Sequence, residues 1–449
     1  MIQTTNGRVQ RASKSAQLLE RARASIAGGD NSTMRVLPYH LPLVAVRGEG
    51  SRVWDVDGQE HIDLNMAYGP LIFGHRPPHV TDAVVRQITE SGSQLGFPAE
   101  LSVRVAEKVK LLYPHIELLR FSSTGTEAIV AALRLARVFT ERRYVIAFEG
   151  HYHGSSDNIF HRYHAPLEDL PEGPYARALP GTLGMNGAPV DVLVCPWNSP
   201  EALEKCLSDH ADDVAAVIME PVMGNAGVIA PHDDFLEIAR ALTHEHGALL
   251  IFDEVITGMR VAAGGAQERF GVEADITILS KALGGGYPIS ALGSTREIMQ
   301  SIVEGRLFHG GVYSGNALVM AAADAVLDEI HRDGAAIYNH LNGISSEFAE
   351  GVREVFTRLG IPHQVNQVGP MVSMILTGGD VGPIRSYRDI RRHCDFEKYI
   401  RFQHQLQHSG VYFHPNQFEP LFFSTAHTRQ DVATVLERIE DGARATLLA

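Results

Sequence analysis

The sequence predicts an α/β protein with a mainly parallel central sheet, helices on both of its faces and a smaller α+β domain. Through the middle of the chain, short apolar runs alternate with amphipathic segments, a pattern typical of parallel strands joined by helices. The length of 449 residues is too great for one compact unit, and the pattern changes rhythm after about residue 326. In a sheet of this kind, ligands bind at the carboxyl ends of the strands.

The individual elements follow from these patterns. Each predicted strand is a short apolar run, and the runs are Arg143–Phe148, Val190–Cys195, Ala215–Glu220, Ala248–Asp253 and Ile276–Ser280. The amphipathic helix candidates between them are Thr126–Thr140, Pro200–His210 and Asp233–His246. Earlier in the chain we predict a helix over Ala12–Ala27 and a hairpin around Asp57 and Gly58. The predicted domains are an N-terminal arm with part of the small domain (1–70), a large domain (71–325) and a C-terminal small domain (326–449).

The composition limits the classes of partner. A formal net charge of −14 at pH 7 argues against nucleic acid and anionic membranes, because both bind clustered positive charge. A small-molecule substrate is the better expectation. The sequence has no apolar run of about 18 residues and no apolar leader, so we predict a cytoplasmic protein. Cys195, Cys206 and Cys394 lack the spacing of metal ligands or of a disulfide framework.

A phosphate site is predicted at the start of one helix. Thr124 and Glu127 have the spacing of a capping box directly before an apolar pattern of helical period. Gly125 and the small hydroxyl residues beside it leave backbone N–H groups unobstructed, and the helix dipole favours an anion there. An ordinary capped helix explains the same residues, and this feature taken alone favours that interpretation.

Two further features place an acid and an amine at strand ends. Asp253 closes an apolar run, and a buried carboxylate needs either a cationic partner or a role in a site. A structural salt bridge or a helix cap would explain Asp253 equally well. Lys281 follows another apolar run and precedes a glycine-rich turn. A partly buried lysine forms imines with aldehydes, although a lone lysine after a strand is usually solvated.

Together the three features indicate pyridoxal 5'-phosphate (PLP). PLP chemistry requires a phosphate cradle, a carboxylate that keeps the pyridine nitrogen protonated and a lysine that forms an imine. With that nitrogen charged, the ring accepts the electrons released when a bond to the substrate α-carbon breaks. Asp253 would therefore make the ring a better electron sink.

At these residues the sequence resembles the class III aminotransferases of PLP fold type I, and within them the branch of glutamate-1-semialdehyde aminomutase. The resemblance runs from about residue 25 to the C-terminus. Besides the Lys281 turn, the matching segments are Asn31–Arg35, Val53–Gly58, Thr124–Ala128, Phe148–Gly154, Glu220–Asn225, Asp253–Gly258, Ser314–Asn316, Gln417–Glu419 and Ala426–Thr428. So many matches in the same order make coincidence a poor explanation.

The resemblance implies a role for each matching residue. Lys281 would carry the cofactor as a Schiff base, Asp253 would pair with the pyridine nitrogen and Tyr152 would stack on the ring. The other implied cofactor-binding positions are Thr124, Gly125, Thr126, Glu220, Asn225, Val255 and Val312. The implied substrate-binding positions are Arg35, Tyr68 and Glu419. Arg35 would bind a substrate carboxylate, and the competing interpretation is a solvated surface arginine.

Departures from the family pattern bear on the reaction. Val312 stands where the family has a threonine whose hydroxyl reaches the phosphate of the neighbouring subunit, so one hydrogen bond is missing or replaced. The segment 165–184 is unlike the glycine- and serine-rich lid that retains the diamine intermediate in the aminomutase. The chain also reads Met259-Arg260-Val261-Ala262 in place of the glycine-arginine-threonine-glycine element of many 2-oxoglutarate-using members.

The histidines near Tyr152 do not predict a metal site. His151 and His153 have no carboxylate or cysteine neighbours at ligand spacing, so we expect them to pack within a loop. We expect the same of His161 and His164, and no metal is assigned.

The leading functional prediction is a homodimeric aminotransferase with an active site shared between subunits. Its substrate would be a small amine or amino acid that bears a carboxylate, with an oxo acid or aldehyde as acceptor. Lys281 would act as the base that moves a proton between the substrate and the cofactor. An isomerase, either an aminomutase or a racemase, uses the same residues and is the first alternative. A catalytically silent binding protein is the second.

Overall fold

A computed structural model describes residues 13–170, 172–185, 187 and 189–448, together with the backbone of residues 4–5 and 8–9. The strands of this part of the chain are β1 (Thr4–Thr5), β2 (Arg8–Val9), β3 (Ala45–Glu49), β4 (Arg52–Asp55), β5 (Glu60–Asp63), β6 (Leu118–Ser122), β7 (Tyr144–Phe148), β8 (Ala176–Arg177), β9 (Val192–Cys195), β10 (Val214–Met219), β11 (Leu249–Glu254), β12 (Ile276–Leu279), β13 (Ser290–Ser294), β14 (His363–Val368), β15 (Met371–Leu376), β16 (Val411–Tyr412) and β17 (Leu421–Phe422).

The α-helices of the same residues are α1 (Lys14–Arg23), α2 (Pro78–Glu90), α3 (Glu100–Leu112), α4 (Gly125–Thr140), α5 (Pro200–Asp209), α6 (Phe235–Glu245), α7 (Gly265–Phe270), α8 (Arg296–Val303), α9 (Ala317–Arg358), α10 (Tyr387–His393), α11 (Phe396–His408) and α12 (Arg429–Thr446). The predicted helices between the strands are confirmed as α4, α5 and α6. The helix predicted over Ala12–Ala27 corresponds to α1, and its first residue, Ala12, lies outside the described residues.

The central sheet has the strand order β6-β13-β12-β11-β10-β7-β9-β8. Its inner strands β12, β11, β10, β7 and β9 are parallel to one another, whereas β13 and β8 run antiparallel to their neighbours. All of the predicted strands belong to this parallel core, which confirms the mainly parallel α/β architecture. β6, β8 and β13 were not predicted. β13 (Ser290–Ser294) consists of small residues apart from Leu292 and lacks the β-branched side chains that usually indicate a strand.

Helices cover both faces of this sheet because successive side chains of a strand point in opposite directions. On one face, α4 packs over an apolar cluster that includes Ile218 and Ile251. On the other face, α5 and α6 pack over a cluster that includes Val217 and Leu250. Both faces of β10 and β11 are thus covered, which explains why these strands read as uninterrupted apolar runs.

Two smaller sheets adjoin the C-terminal helices. One has the order β14-β15-β17 and the other has the order β16-β5-β4-β3. The predicted hairpin around Asp57 and Gly58 is confirmed: β4 and β5 are antiparallel, and Gly58 has a φ of 91°. Because β16 pairs with β5, residues from the two ends of the chain share one sheet.

Helix α9 is 42 residues long and spans the boundary that we predicted at residues 325 and 326. Its helical geometry breaks at Asp333, where φ is −128° and ψ is 19°. The domain boundaries therefore stay a prediction. Among the described helices, α9 included, none combines the length and the apolar character that crossing a membrane requires.

We predict that Val217→Ala lowers the free energy of unfolding by about 2 kcal/mol, because a fully buried valine is lost from the cluster beneath α5 and α6. Val46→Ala is the matched control, since this strand valine is 63% exposed and its loss should change the free energy by less than about 0.5 kcal/mol. Urea unfolding measures both values. Equal effects of the two substitutions would contradict the assigned core.

Candidate active site at the carboxyl ends of the strands

A cavity of about 660 Å³ opens at the carboxyl ends of four neighbouring strands. Lys281 follows β12, Asp253 lies at the end of β11, Glu220 follows β10 and Tyr152 follows β7. Parallel register brings these chain positions together: Asp253 is paired with Ile278, three residues before Lys281. Of the predicted site residues, those that line the cavity are Tyr68, Gly125, Thr126, Tyr152, Glu220, Asn225, Asp253, Val255, Lys281 and Glu419.

The start of α4 forms one wall of the cavity. The predicted capping box is confirmed, because Thr124 Oγ1 accepts the N–H of Glu127 at 3.2 Å and the Glu127 carboxylate accepts the N–H of Thr124 at 3.1 Å. The next N–H groups, at Gly125 and Thr126, have no intrahelical acceptor and are suited to an anion. A Cβ at Gly125 would lie 3.1 Å from Val255, and a Cβ at Gly154 would lie 2.5 Å from Thr126 Oγ1. Both glycines thus permit a close backbone approach.

Asp253 is 4% exposed and is held by two donors. His153 Nδ1 lies 2.8 Å from Asp253 Oδ2, and the N–H of Val255 donates to Oδ1 at 3.1 Å. His153 is itself buried, and its other ring nitrogen, Nε2, has no hydrogen-bond partner within the described residues. The carboxylate therefore has a fixed orientation next to the cavity.

Glu220 is the second buried acid. Its carboxylate accepts the N–H of Tyr152 at 2.8 Å, the N–H of Gly224 at 2.9 Å and the side-chain amide of Asn225 at 3.0 Å. The His151 ring accepts the N–H of Glu220 at 3.0 Å. Burial raises the pKa of Glu220 to about 7, although the hydrogen bonds act in the opposite direction. Through these hydrogen bonds, Glu220 connects the loop that contains Tyr152 to the turn that contains Gly224 and Asn225.

Lys281 is partly buried and has a φ of 37°, a strained backbone conformation for a residue with a side chain. Burial lowers the pKa of its amine, and the nearby carboxylates oppose that shift, Glu419 most strongly. Within the described residues, Nζ has no hydrogen-bond or ion-pair partner. The amine is therefore held in the cavity without a competing partner from the described chain.

Glu419 and a group of aromatic side chains complete the cavity. Glu419 is 9% exposed, and burial raises its pKa to about 7 while Lys281 lowers it. Tyr68 lies on the same side and donates its hydroxyl to the carbonyl of Met34 at 3.3 Å. The ring of Tyr152 lies 5.0 Å from that of Tyr163.

The remaining predicted site residues do not line the cavity. Thr124 caps α4 and accepts the hydroxyl of Ser290 at its carbonyl, 2.7 Å away. Arg35 is half-exposed, and its Nε lies 2.6 Å from Asp30 Oδ1, although the adjacent residues 31–34 do line the cavity. Val312 is 78% exposed, and its carbonyl accepts the side-chain amide of Gln94. Their roles in binding stay predictions.

Several cavity residues were not predicted. We expected His153 to pack within a loop, but its ring contacts Asp253. Its position directly after Tyr152, a predicted site residue, is the sequence signal that could have identified it. Phe160 and Tyr163 line the cavity from the connection after Tyr152, which precedes the segment 165–184 whose sequence differs from the family pattern. Among the described residues, no group of three or more histidines, cysteines or acids is placed to hold a metal ion.

The arrangement fits a phosphorylated pyridine aldehyde. The start of α4 offers N–H groups for a phosphate, Asp253 offers a fixed carboxylate for a ring nitrogen, and Lys281 offers an amine for an aldehyde. All three border one cavity, as the PLP prediction requires.

Comparison with known proteins agrees with this geometry. The family model "Aminotransferase class-III" matches residues 34–440. The chain is 41% identical to the glutamate-1-semialdehyde 2,1-aminomutase of Thermus thermophilus over 94% of this chain and 96% of that protein. An omega-transaminase from Sphaerobacter thermophilus superimposes with a TM-score of 0.90 at 29% identity, covering 99% of this chain and 100% of its own. A glutamate-1-semialdehyde aminomutase variant from Pseudomonas aeruginosa, in complex with PMP, has a TM-score of 0.82 at 25% identity over 96% and 94% of the two chains.

We predict a pH dependence of stability that originates at Glu419. Its pKa is raised from 4.5 to about 7 in the folded protein, so its protonation stabilises the fold below pH 4.5 and this contribution is lost as the pH rises through about 7. Between pH 4.5 and about 7, the free energy of unfolding should therefore decrease by up to about 3 kcal/mol less in Glu419→Gln than in the unaltered protein.

Urea unfolding of the cofactor-free protein between about pH 5 and 8 measures this slope. Glu437→Gln, at an exposed glutamate, is the matched control and should keep the slope of the unaltered protein. A Glu419→Gln slope equal to that of the control would contradict the assignment.

Proposed function

The chain belongs to the class III aminotransferase family, and from this premise we propose that it moves an amino group within one carboxylate-bearing amino aldehyde, as a glutamate-1-semialdehyde 2,1-aminomutase does. The observation that carries amino-group transfer is the meeting of Lys281, Asp253 and the start of α4 in one cavity. The intramolecular form is supported by the aminomutase relatives, which match almost the whole chain at 38–41% identity.

Pyridoxal phosphate is the cofactor of this family, and when bound it supplies an electron sink for the bond that breaks at the substrate carbon. In this chain the N–H groups of Gly125 and Thr126 would hold its phosphate. Asp253 would hold the ring nitrogen, and Lys281 would hold the aldehyde carbon. Tyr152 would cover the ring.

The protein's own groups provide the proton transfers. Because burial lowers the pKa of Lys281, a larger fraction of its amine is neutral near pH 7 than for a solvated lysine, and a neutral amine can take a proton from the substrate carbon. His153 and the N–H of Val255 keep the Asp253 carboxyl group oriented. Glu419, with a pKa of about 7, is suited to bind a substrate amino group and to exchange a proton with it.

Amino transfer between two substrates is the second candidate. The omega-transaminase of Sphaerobacter thermophilus superimposes over the whole chain with a TM-score of 0.90. In addition, the segment 165–184, which follows the cavity residues Phe160 and Tyr163, differs from the glycine- and serine-rich lid of the aminomutases. The two candidates use the same Lys281 and differ in whether a separate acceptor is needed.

We predict that the purified holoenzyme converts glutamate-1-semialdehyde to its 2,1-rearranged isomer without any added oxo acid. Lys281→Ala should lower kcat by at least about a thousandfold, because the general base is lost. Lys205→Ala, at an exposed lysine that pairs with Asp209, is the control and should leave kcat unchanged. Steady-state assays of the rearranged product measure these rates.

If turnover began only after an oxo acid was added, the aminomutase proposal would be wrong and the aminotransferase reaction would take its place. If Lys281→Ala changed the rate of neither reaction, the proposal that this site transfers amino groups would be contradicted.

We also propose that the protein is a homodimer whose interface includes the surface around Val312. Large apolar side chains are exposed there: Phe308 is 81% exposed, Val312 78% and Tyr313 68%. Phe97 is 81% exposed and lies in the same connection as Gln94, which contacts Val312. Exposed large apolar side chains that are close together in the chain indicate a protein interface. A second subunit that covers them would bring Val312 next to an active site, as the family resemblance implies.

We predict that Phe308→Glu weakens this dimer by at least about thirtyfold, since a charge would be placed where an aromatic side chain is buried. Leu448→Glu, at a half-exposed leucine near the C-terminus, is the control. Sedimentation equilibrium of both variants and of the unaltered protein measures the dissociation constant. A monomeric unaltered protein, or equal dissociation constants for the two variants, would contradict the proposed interface.

A further inference from the structure

One segment of the cavity wall, residues 160–163, is followed by a histidine, His164, that contacts two other parts of the wall. Phe160 and Tyr163 line the cavity, and the next residue, His164, lies outside its lining. His164 Nε2 is 2.8 Å from the carbonyl oxygen of Asn225. Since a carbonyl oxygen only accepts hydrogen bonds, Nε2 carries the proton. Burial lowers the pKa of His164 to about 4, so the ring is neutral near pH 7 and its single N–H is committed to Asn225.

The His164 ring also packs against the loop that carries Glu419. It is stacked on Phe418, with ring centroids 4.2 Å apart and an angle of 27° between the planes. Tyr387 lies nearly parallel to His164 at 6.2 Å and 5.9 Å from Phe418, and its hydroxyl donates to the carbonyl of Ala165. Aromatic pairs in such an offset arrangement stabilise their contact beyond simple burial.

The two partners of His164 are themselves connected. The N–H of Gly227, at the end of the Asn225 turn, donates to the carbonyl of Phe418 at 2.9 Å. The Asn225 side chain faces the cavity and is held there by Glu220. Glu419, which follows Phe418, faces Lys281 across the same cavity. A single imidazole thus joins three cavity walls: the 160–163 segment, the 224–227 turn and the 418–419 loop.

We propose that His164 is a positioning residue that fixes Asn225 and Glu419 relative to the segment 160–163. It contacts neither substrate nor cofactor, and acts through the carbonyl of Asn225 and the ring of Phe418. The proposal depends on the cofactor site but not on which of the two reactions the enzyme catalyses. It also explains how the aromatic side chains of Phe160 and Tyr163 are kept as a fixed wall of the site.

Three holoenzyme variants test the proposal. His164→Phe keeps a ring for Phe418 but removes the donor to Asn225, whereas His164→Gln keeps a donor and removes the ring. His363→Phe is the matched control, because His363 also pairs with a backbone carbonyl, 2.8 Å from Ile361, and packs on Phe356 away from the cavity.

The first measurement is hydrogen exchange of the cofactor-free variants, which is independent of any reaction. In His164→Phe, amides of the 224–227 turn should exchange on the order of fivefold faster than in the unaltered protein, the factor expected for one lost hydrogen bond. The second measurement is the pH titration of the absorbance of the bound cofactor, which reports the surroundings of its ring. His164→Phe should shift this titration and His164→Gln should restore it towards the unaltered protein, while His363→Phe should change neither measurement.

The proposal is overturned if His164→Phe leaves both measurements unchanged, if His363→Phe shifts them equally, or if His164→Gln behaves as His164→Phe in the titration. Because exchange is measured without substrate, failure of the proposed aminomutase reaction would not produce any of these results.

Discussion

The cavity depends on one constraint: carboxyl groups removed from water must be matched by donors or by a cation. The three acids of the site meet it in different ways. Asp253 is held by His153 and by a backbone N–H, and Glu220 accepts several donors from neighbouring loops. Glu419 instead faces the amine of Lys281. The partners of the three acids thus differ, and burial raises the pKa of two of them, Glu220 and Glu419, to about 7, so one small cavity holds acids that titrate near neutral pH.

The sheet makes this concentration of charge possible. Parallel strands end at one edge, so residues that follow β12, β11, β10 and β7 meet although they are distant in sequence. Their side chains are supported by strands buried on both faces, which limits the movement of the backbone beneath them. The strained conformation of Lys281 is tolerated in such a frame, because the surrounding packing determines where its amine lies.

The parallel core, the capping box and the meeting of Lys281 with Asp253 could be predicted from sequence, because each leaves a local pattern: an apolar run, a fixed spacing or a strand end. The contact of His153 with Asp253 could not, since the two residues are 100 positions apart and a histidine in a loop has many other uses. β13 was missed because its small residues carry little strand preference. The ion pair of Arg35 with Asp30 was also not predicted, because it depends on a turn geometry that the residue types do not specify.

Helix α9 has a mechanical consequence. Its first half shares an apolar cluster with α2 and α3, and its second half shares another cluster with α12 and β14. The helix therefore contacts both the helices beside the large sheet and the layer of the smaller sheets. Beyond the break at Asp333, roughly 37 Å of helix remains, and a bend of about 10° at that point would displace the far end by roughly 6 Å. A small angular change at this break would therefore become a translation of the layer that contacts the far end of α9.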